Sequence, residues 1–280
     1  MDENSLLYWF FKVKDLGIPV PKTEIVRLSP EEIQAYQTGE EDCFNLDRLE
    51  SEIRKVVEKG FVLPVFLRTD QYSHKHYWKK SCYLNDLTVL SRHLFEIISG
   101  SANADFLGLP LEAIVVREFI PMDSRFHAFS EEMPVNPERR YFIRNGKILC
   151  HHPYWIPDAI LKGTPKRLPD NWRELLTERK IDLFSVEGLE QREKIMISPL
   201  PINWKEIGEE INYESKEEII LLTDYSSRVA KAVSGFWSVD FCRAKDKRWI
   251  LIDMALGEKS WHPEGCKYCD KLDSFYSQGL

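Results

Sequence analysis

Residues 236–253 read FWSVDFCRAKDKRWILID, two apolar runs either side of a charged turn. Alternation of this kind, closed by a short polar connection, predicts an antiparallel hairpin. A turn centred on Asp246-Lys247 sets Asp240 directly opposite Asp253. Facing Cβ atoms on paired strands lie about 5 Å apart, and like charges opposed there are destabilising. Both acids sit among apolar neighbours, Trp237, Val239 and Phe241 on one run and Ile250, Leu251 and Ile252 on the other. Such a pair is costly unless a cation lies between its members, and oxygen-only ligation beside phosphate suits Mg2+. A register slipped by one residue would instead turn one acid out to solvent.

Working outward, residues 138–155 form a second hairpin, with Asn145-Gly146, the preferred type I′ pair, between RRYFIR and KILCHH. That turn places Arg140 opposite His151 and Arg139 opposite His152. Arg140, Phe142 and Arg144 share one face, and Glu138 on that face could hold the Arg140 guanidinium. The alternative is an ordinary solvated hairpin face. Helical periodicity marks residues 5–16, 46–59, 87–98 and 217–233, with Gly17 and Gly60 as stop signals. Strands are expected at 23–27, at 61–69 after Pro64, and at 113–120. Residues 158–212 hold five prolines and no long periodic run, and read as an insertion with one or two short helices. Mixed helices and hairpin-linked strands give an α+β class with antiparallel sheets.

Arg68 ends the apolar run PVFLR, and Lys75 follows in the loop TDQYSHK. A forked guanidinium and a flexible ammonium leaving one strand end can clamp a polyphosphate, although strand ends also carry arginine for solubility alone. His262, Cys266 and Cys269 form an H-x3-C-x2-C group, half of a zinc site unless a further ligand comes from elsewhere, and otherwise two reduced thiols in a tail. Cys43, Cys82, Cys150 and Cys242 have no nucleophile context, and no G-x-S-x-G, Walker A or Rossmann glycine pattern occurs.

Composition bounds the rest. The chain has 280 residues, 38 Lys plus Arg against 45 Asp plus Glu, and a net charge of −7. An acidic balance disfavours binding to a phosphate backbone, so no nucleic-acid partner is expected. No run of about 18 apolar residues exists for a membrane span. The opening MDENSLLYWFFKVKD begins with acids and lacks a small-residue cleavage site, so no secretory signal is expected. Six scattered cysteines fit a reducing compartment, and a cytoplasmic location is expected.

In order along the chain, FKVKDLGIPVPKTEIV, FLRTDQYSHK, VVREFI, ERRYFIRNGKI and WSVDFCRAKDKRWILIDMALG resemble the motifs of the ATP-grasp superfamily. The likeness is to the subgroup with arginine where most relatives carry their first nucleotide-binding lysine, and to eukaryotic ATP-grasp proteins that assist assembly of a translation initiation factor. It covers most of the chain except 158–212 and the tail. The resemblance implies a reduced leading segment at 1–60, an N-terminal ATP-grasp subdomain at 61–120 and a C-terminal one at 121–280 carrying the insertion. It implies ATP and Mg2+ as cofactors, with Arg68 and Lys75 on the phosphates. Arg117, Glu118, Phe119 and Ile120 would lie on the hinge strand beside adenine or ribose. Arg140 would reach the γ-phosphate, Asp240 and Asp253 would hold the metal, and Lys75 and Arg140 would act in catalysis. The implied activity is a carboxylate–amine ligase working through an acyl-phosphate on small-molecule or peptide substrates. The alternative is an ATP-binding assembly factor that docks a protein partner without ligase turnover. Two departures favour that alternative: Ala255 stands where relatives place a third metal ligand, Asn, and the leading segment is short. The loop from Arg68 to Lys75 also lacks the glycine of a flexible flap.

Overall fold

Two four-stranded antiparallel sheets organise the chain in a computed structural model that describes residues 2–38, 45–106, 110–129, 132–169, 171–178 and 196–263. The first sheet has the order β1-β4-β2-β3, from β1 (Thr23–Arg27), β2 (Val65–Thr69), β3 (Tyr83–Leu84) and β4 (Ala113–Glu118). The second has the order β10-β9-β7-β8, from β7 (Glu138–Arg144), β8 (Lys147–Pro153), β9 (Phe236–Arg243) and β10 (Trp249–Leu256). A small pair, β5 (Phe126–Ala128) and β6 (Met133–Val135), lies between them in sequence.

The period-2 alternation of each strand decides which side chains reach the helices and which remain for the space between the sheets. In the first sheet Val65, Leu67, Ile114 and Val116 pack on α3 (Leu46–Gly60) and α4 (Leu90–Phe106), through Leu49, Ile53 and Val57 of the former and Leu90, Leu94 and Ile97 of the latter. Asn45 caps α3 by accepting the Arg48 N–H at 2.9 Å. In the second sheet Tyr141, Val239 and Phe241 pack on α1 (Leu6–Val13) and α8 (Lys216–Ala232). Arg139 shares that helix-facing side, fully buried, and is held by the Glu218 carboxylate and the carbonyls of Ile211 and Tyr213. The intervening positions, Arg68 and Arg117 on one sheet and Glu138, Arg140 and Asp240 on the other, are the polar ones.

Both hairpins form where predicted, but each carries a bulge that the turn residues do not announce. In β9–β10 the pairs nearest the turn are Trp249 with Arg243 and Leu251 with Phe241; one extra residue, Ile252, then brings Asp253 opposite Asp240. In β7–β8 Asn145 and Gly146 both have positive φ, 46° and 81°, as a type I′ turn requires. A shift between Phe142 and Ile143 then places Arg140 opposite His152 and Arg139 opposite Pro153. The expected pairings of Arg140 with His151 and Arg139 with His152 are therefore corrected by one residue, because the bulge absorbs Leu149.

Other differences are local. Gly60 is the last residue of α3 rather than its stop, and residues 87–89 form a 3-10 turn ahead of α4. α2 (Pro30–Thr38) was not expected, yet a capping box starts it: the Ser29 N–H donates to Glu32 at 2.7 Å and the Glu32 N–H to Ser29 Oγ at 3.2 Å. The insertion carries α5 (Pro157–Gly163), α6 (Trp172–Glu178) and α7 (Trp204–Asn212). Cys43, Cys266 and Cys269 lie outside the described residues. Among the described residues no helix is long and apolar enough to cross a membrane.

Candidate functional site

The polar faces of the two sheets enclose a cleft of about 840 Å³. All nine residues singled out from sequence line it: Arg68, Lys75, Arg117, Glu118, Phe119 and Ile120, with Arg140, Asp240 and Asp253 from the second sheet. Two-residue alternation explains the gathering, since Arg68 on β2 and Arg117 on β4 point away from α3 and α4, and Arg140 and Asp240 point away from α1 and α8.

At the charged end every acid has a cation in reach. Arg140 grips Asp240 in a two-point bond, Nε to Oδ1 at 2.7 Å and Nη2 to Oδ2 at 2.6 Å. Arg68 Nη1 lies 2.8 Å from Asp253 Oδ1, an ion pair that joins the two sheets. Lys75 Nζ lies 3.8 Å from Glu138 Oε1 and donates to the Tyr154 hydroxyl at 3.3 Å. The cost of opposing Asp240 and Asp253 is thus offset by guanidinium groups. Glu138 does not hold Arg140, as the sequence suggested, because Arg140 is directly opposite Asp240 in the β7–β9 register.

Burial sets the protonation of what remains. It pushes the Glu138 carboxyl up to about 7; Lys75 opposes that rise and Asp240 reinforces it. Burial alone would lower Lys75, but Glu138, Tyr154 and Asp240 together hold its ammonium charged well beyond the ordinary range. Arg117 is lowered to about 9 by burial and by neighbouring Arg68. Its Nη1 donates to the Ile252 carbonyl in the bulge, while Nη2 is buried without a hydrogen-bond partner. Glu138 Oε1 is likewise buried without one. Unpaired buried polar atoms are rare enough to mark places where a ligand gains bonds.

The opposite end is aromatic. Trp78 and Tyr83 stack at 5.4 Å, and Phe119 meets Tyr83 edge-on at 5.1 Å. Together they offer a flat apolar wall for a planar ring. Tyr154 and Trp155, read from sequence only as packing, also line the cleft, and the Arg140 guanidinium lies over the Tyr154 ring at 4.7 Å. Their signal was position: they directly follow β8, and the Tyr154 N–H bonds the Glu138 carbonyl at 3.0 Å.

Asp240 and Asp253 supply an oxygen-only donor pair, and the Asp253 side chain is 35% exposed, open to the cleft. Mg2+ is commonly held by one or two carboxylates with phosphate oxygens and water completing the shell, so this pair fits the ion. Among the described residues no group of three or more His, Cys, Asp or Glu side chains could hold a metal by itself.

Residues 58–186 match the family model of an ATP-grasp domain, the third family of its clade. Among solved structures, Cdc123 from Schizosaccharomyces pombe is similar with a TM-score of 0.49 and 14% identity, over 99% of this chain and 92% of that one. The VanG D-Ala:D-Ser ligase from Enterococcus faecalis gives a TM-score of 0.43 and 12% identity, over 90% of this chain and 52% of that one. The ATP-grasp ligase PsnB, complexed with a minimal precursor, gives 0.38 and 10%, over 90% and 52%. The chain spans about half the length of PsnB and VanG. No curated protein matches its sequence.

Proposed function

We propose, from the premise that residues 58–186 form an ATP-grasp domain, that the cleft binds ATP with Mg2+ and that the protein joins a carboxylate to an amine through an acyl-phosphate. One observation carries this reading: a single cleft places three aromatic rings at one end and four cationic side chains with two cross-strand aspartates at the other. Adenine would stack on Phe119, Tyr83 and Trp78, with Glu118 and Ile120 at its edge. Arg68, Lys75 and Arg140 would receive the phosphates, with Arg117 behind them.

In this reading the guanidinium groups exchange partners. Arg68 and Arg140 turn from Asp253 and Asp240 to phosphate oxygens, and the two carboxylates are released toward the ion. Bound there, Mg2+ would neutralise charge on the phosphate oxygens. Phosphoryl transfer needs positioning and charge stabilisation more than covalent chemistry from the protein, which accounts for a site without a nucleophile. Lys75 and Arg140 would stabilise the charge that develops as a substrate carboxylate attacks the γ-phosphoryl group. The amine then displaces phosphate from the acyl group.

A second reading is an ATP-binding assembly factor with a protein partner. It is favoured by Ala255, which offers no side-chain oxygen beside Asp253, and by the ion pairs that already neutralise both aspartates. Purified chain with ATP, Mg2+ and a pool of amino acids and peptides separates the two. Release of ADP that depends on acceptor supports the ligase. An upward shift of melting temperature with ATP but no such release supports the assembly factor. No shift and no release would overturn the nucleotide site itself.

A further inference from the structure

On the far side of Arg140, away from the aromatic wall, a second group of side chains meets that the nucleotide cleft does not use. Cys150 Sγ on β8 lies 3.1 Å from His262 Nε2. The thiol is buried, in an apolar setting of Phe142, Phe236 and Leu149, and the His262 ring meets Phe142 edge-on at 4.7 Å. The two residues are 112 positions apart, so only the fold brings them together. His262 is also the first residue of the H-x3-C-x2-C group, followed by Cys266 and Cys269.

We infer that Cys150, His262, Cys266 and Cys269 form a zinc site that fastens the C-terminal segment to β8. The ligand requirement left open by the sequence motif was a residue from elsewhere in the chain, and Cys150 supplies it. Three thiolates and one imidazole are an established structural zinc set, and C-x2-C is the spacing that lets two sulfurs of one turn share an ion. Tetrahedral zinc with Zn–S near 2.3 Å and Zn–N near 2.0 Å separates sulfur from nitrogen by about 3.5 Å. The observed 3.1 Å therefore needs a shift of only about 0.4 Å to admit the ion. Chain length permits the closure, because four and seven residues reach far beyond the few ångströms required. Loading releases the thiol protons to solvent.

The site bears on the cleft through one atom. The carbonyl of Trp261, next to His262, accepts from Arg140 Nη1 at 3.2 Å. Zinc would hold that carbonyl in place and with it the orientation of Arg140, a positioning role distinct from any contact with substrate.

The test is elemental analysis of the full chain, purified from zinc-supplemented medium with any tag removed. About one zinc per chain is expected. Cys150→Ser and Cys269→Ser should each weaken zinc affinity at least about 100-fold, read by competition with a chromophoric chelator, since even an outer partner of a ligand is worth 10–100-fold. Metal-free protein that takes up no added zinc would overturn the site, as would full zinc content in Cys150→Ser. Should Cys150→Ser fail to fold, the wild-type chain loaded with cobalt decides the matter. Charge-transfer intensity of three thiolates supports the site, and that of two removes Cys150 from it.

Discussion

The hairpins β7–β8 and β9–β10 match in strand length and in carrying one bulge, yet they treat their buried polar groups in opposite ways. In β9–β10 the two aspartates are compensated: Asp240 by the forked Arg140 and Asp253 by Arg68. In β7–β8 both Glu138 Oε1 and His152 Nε2 are buried without a hydrogen-bond partner. One hairpin holds charge by pairing it, and the other avoids charge by shifting protonation, upward for Glu138 and down to about 4 for His152, where burial outweighs the other influences. The lesson is that cation placement, not the number of acids, decides which carboxylates of a site remain ionised while it is empty of ligand.

The sharpest way to break this contrast is to remove a compensated acid. Asp240→Ala leaves the Arg140 charge buried and unpaired, and should cost about 3–5 kcal/mol in urea denaturation. Glu138→Gln removes no hydrogen bond and should cost far less. Equal losses would abolish the distinction.

A slightly smaller effect appears as pH dependence. The folded-state pKa of Glu138 is raised from 4.5 to about 7, so the stability its neutral form contributes is complete below 4.5, falls as pH rises and is lost above 7. His152 is lowered from 6.5 to about 4, so its contribution is complete above 6.5 and is lost as pH falls toward 4. The two oppose each other between 4.5 and 6.5. Relative to wild type, Glu138→Gln should gain about 3 kcal/mol as pH climbs through that window to neutrality, measured by denaturation across pH. A flat difference would show that Glu138 is ionised in the folded chain.

Asp253→Asn keeps an acceptor for Arg68 and removes one like charge, so the fold should change by less than about 1 kcal/mol. ATP affinity in the presence of Mg2+ should nevertheless fall about tenfold, a difference of about 1.4 kcal/mol by titration calorimetry. Unchanged affinity would count against the metal role of this carboxylate. The smallest expected effect contrasts the two turns. Gly146 has φ 81° with open space around it, so Gly146→Ala should cost about 1 kcal/mol through backbone strain alone. Lys247 already occupies a left-handed position at φ 72°, and Lys247→Gly should be neutral or slightly stabilising by thermal melts.

The contrast also explains what the sequence made legible. Turn residues with a single conformational meaning, such as Asn145-Gly146, located both long hairpins, and strand alternation assigned Arg68, Arg140 and Asp240 to one cleft. The bulges were not legible, because Leu149 and Ile252 are ordinary strand residues whose displacement depends on neighbouring strands. Asp240 therefore faces Asp253 through a bulge rather than through the turn register alone. The choice of Asp240 over Glu138 as the partner of Arg140 depends on the β7–β9 register, which joins segments about a hundred residues apart and leaves no local trace. The start of α2 was readable in Ser29-Pro30-Glu31-Glu32, where an N-cap serine, a first-turn proline and a reciprocal glutamate coincide.

The bulge at Ile252 has a mechanical consequence. An extra residue takes its carbonyl out of the β9–β10 ladder, and Arg117 of the opposite sheet binds it. Arg68 reaches the neighbouring Asp253, and the Leu251 N–H is taken by the Pro19 carbonyl at 2.9 Å. Three consecutive residues of β10 are thereby stitched to the other half of the molecule, like the hem of a folded cloth. The walls of the cavity cannot part along that hem without tearing all three stitches at once, so any widening that admits a guest begins at the aromatic mouth and swings about β10 as its axis.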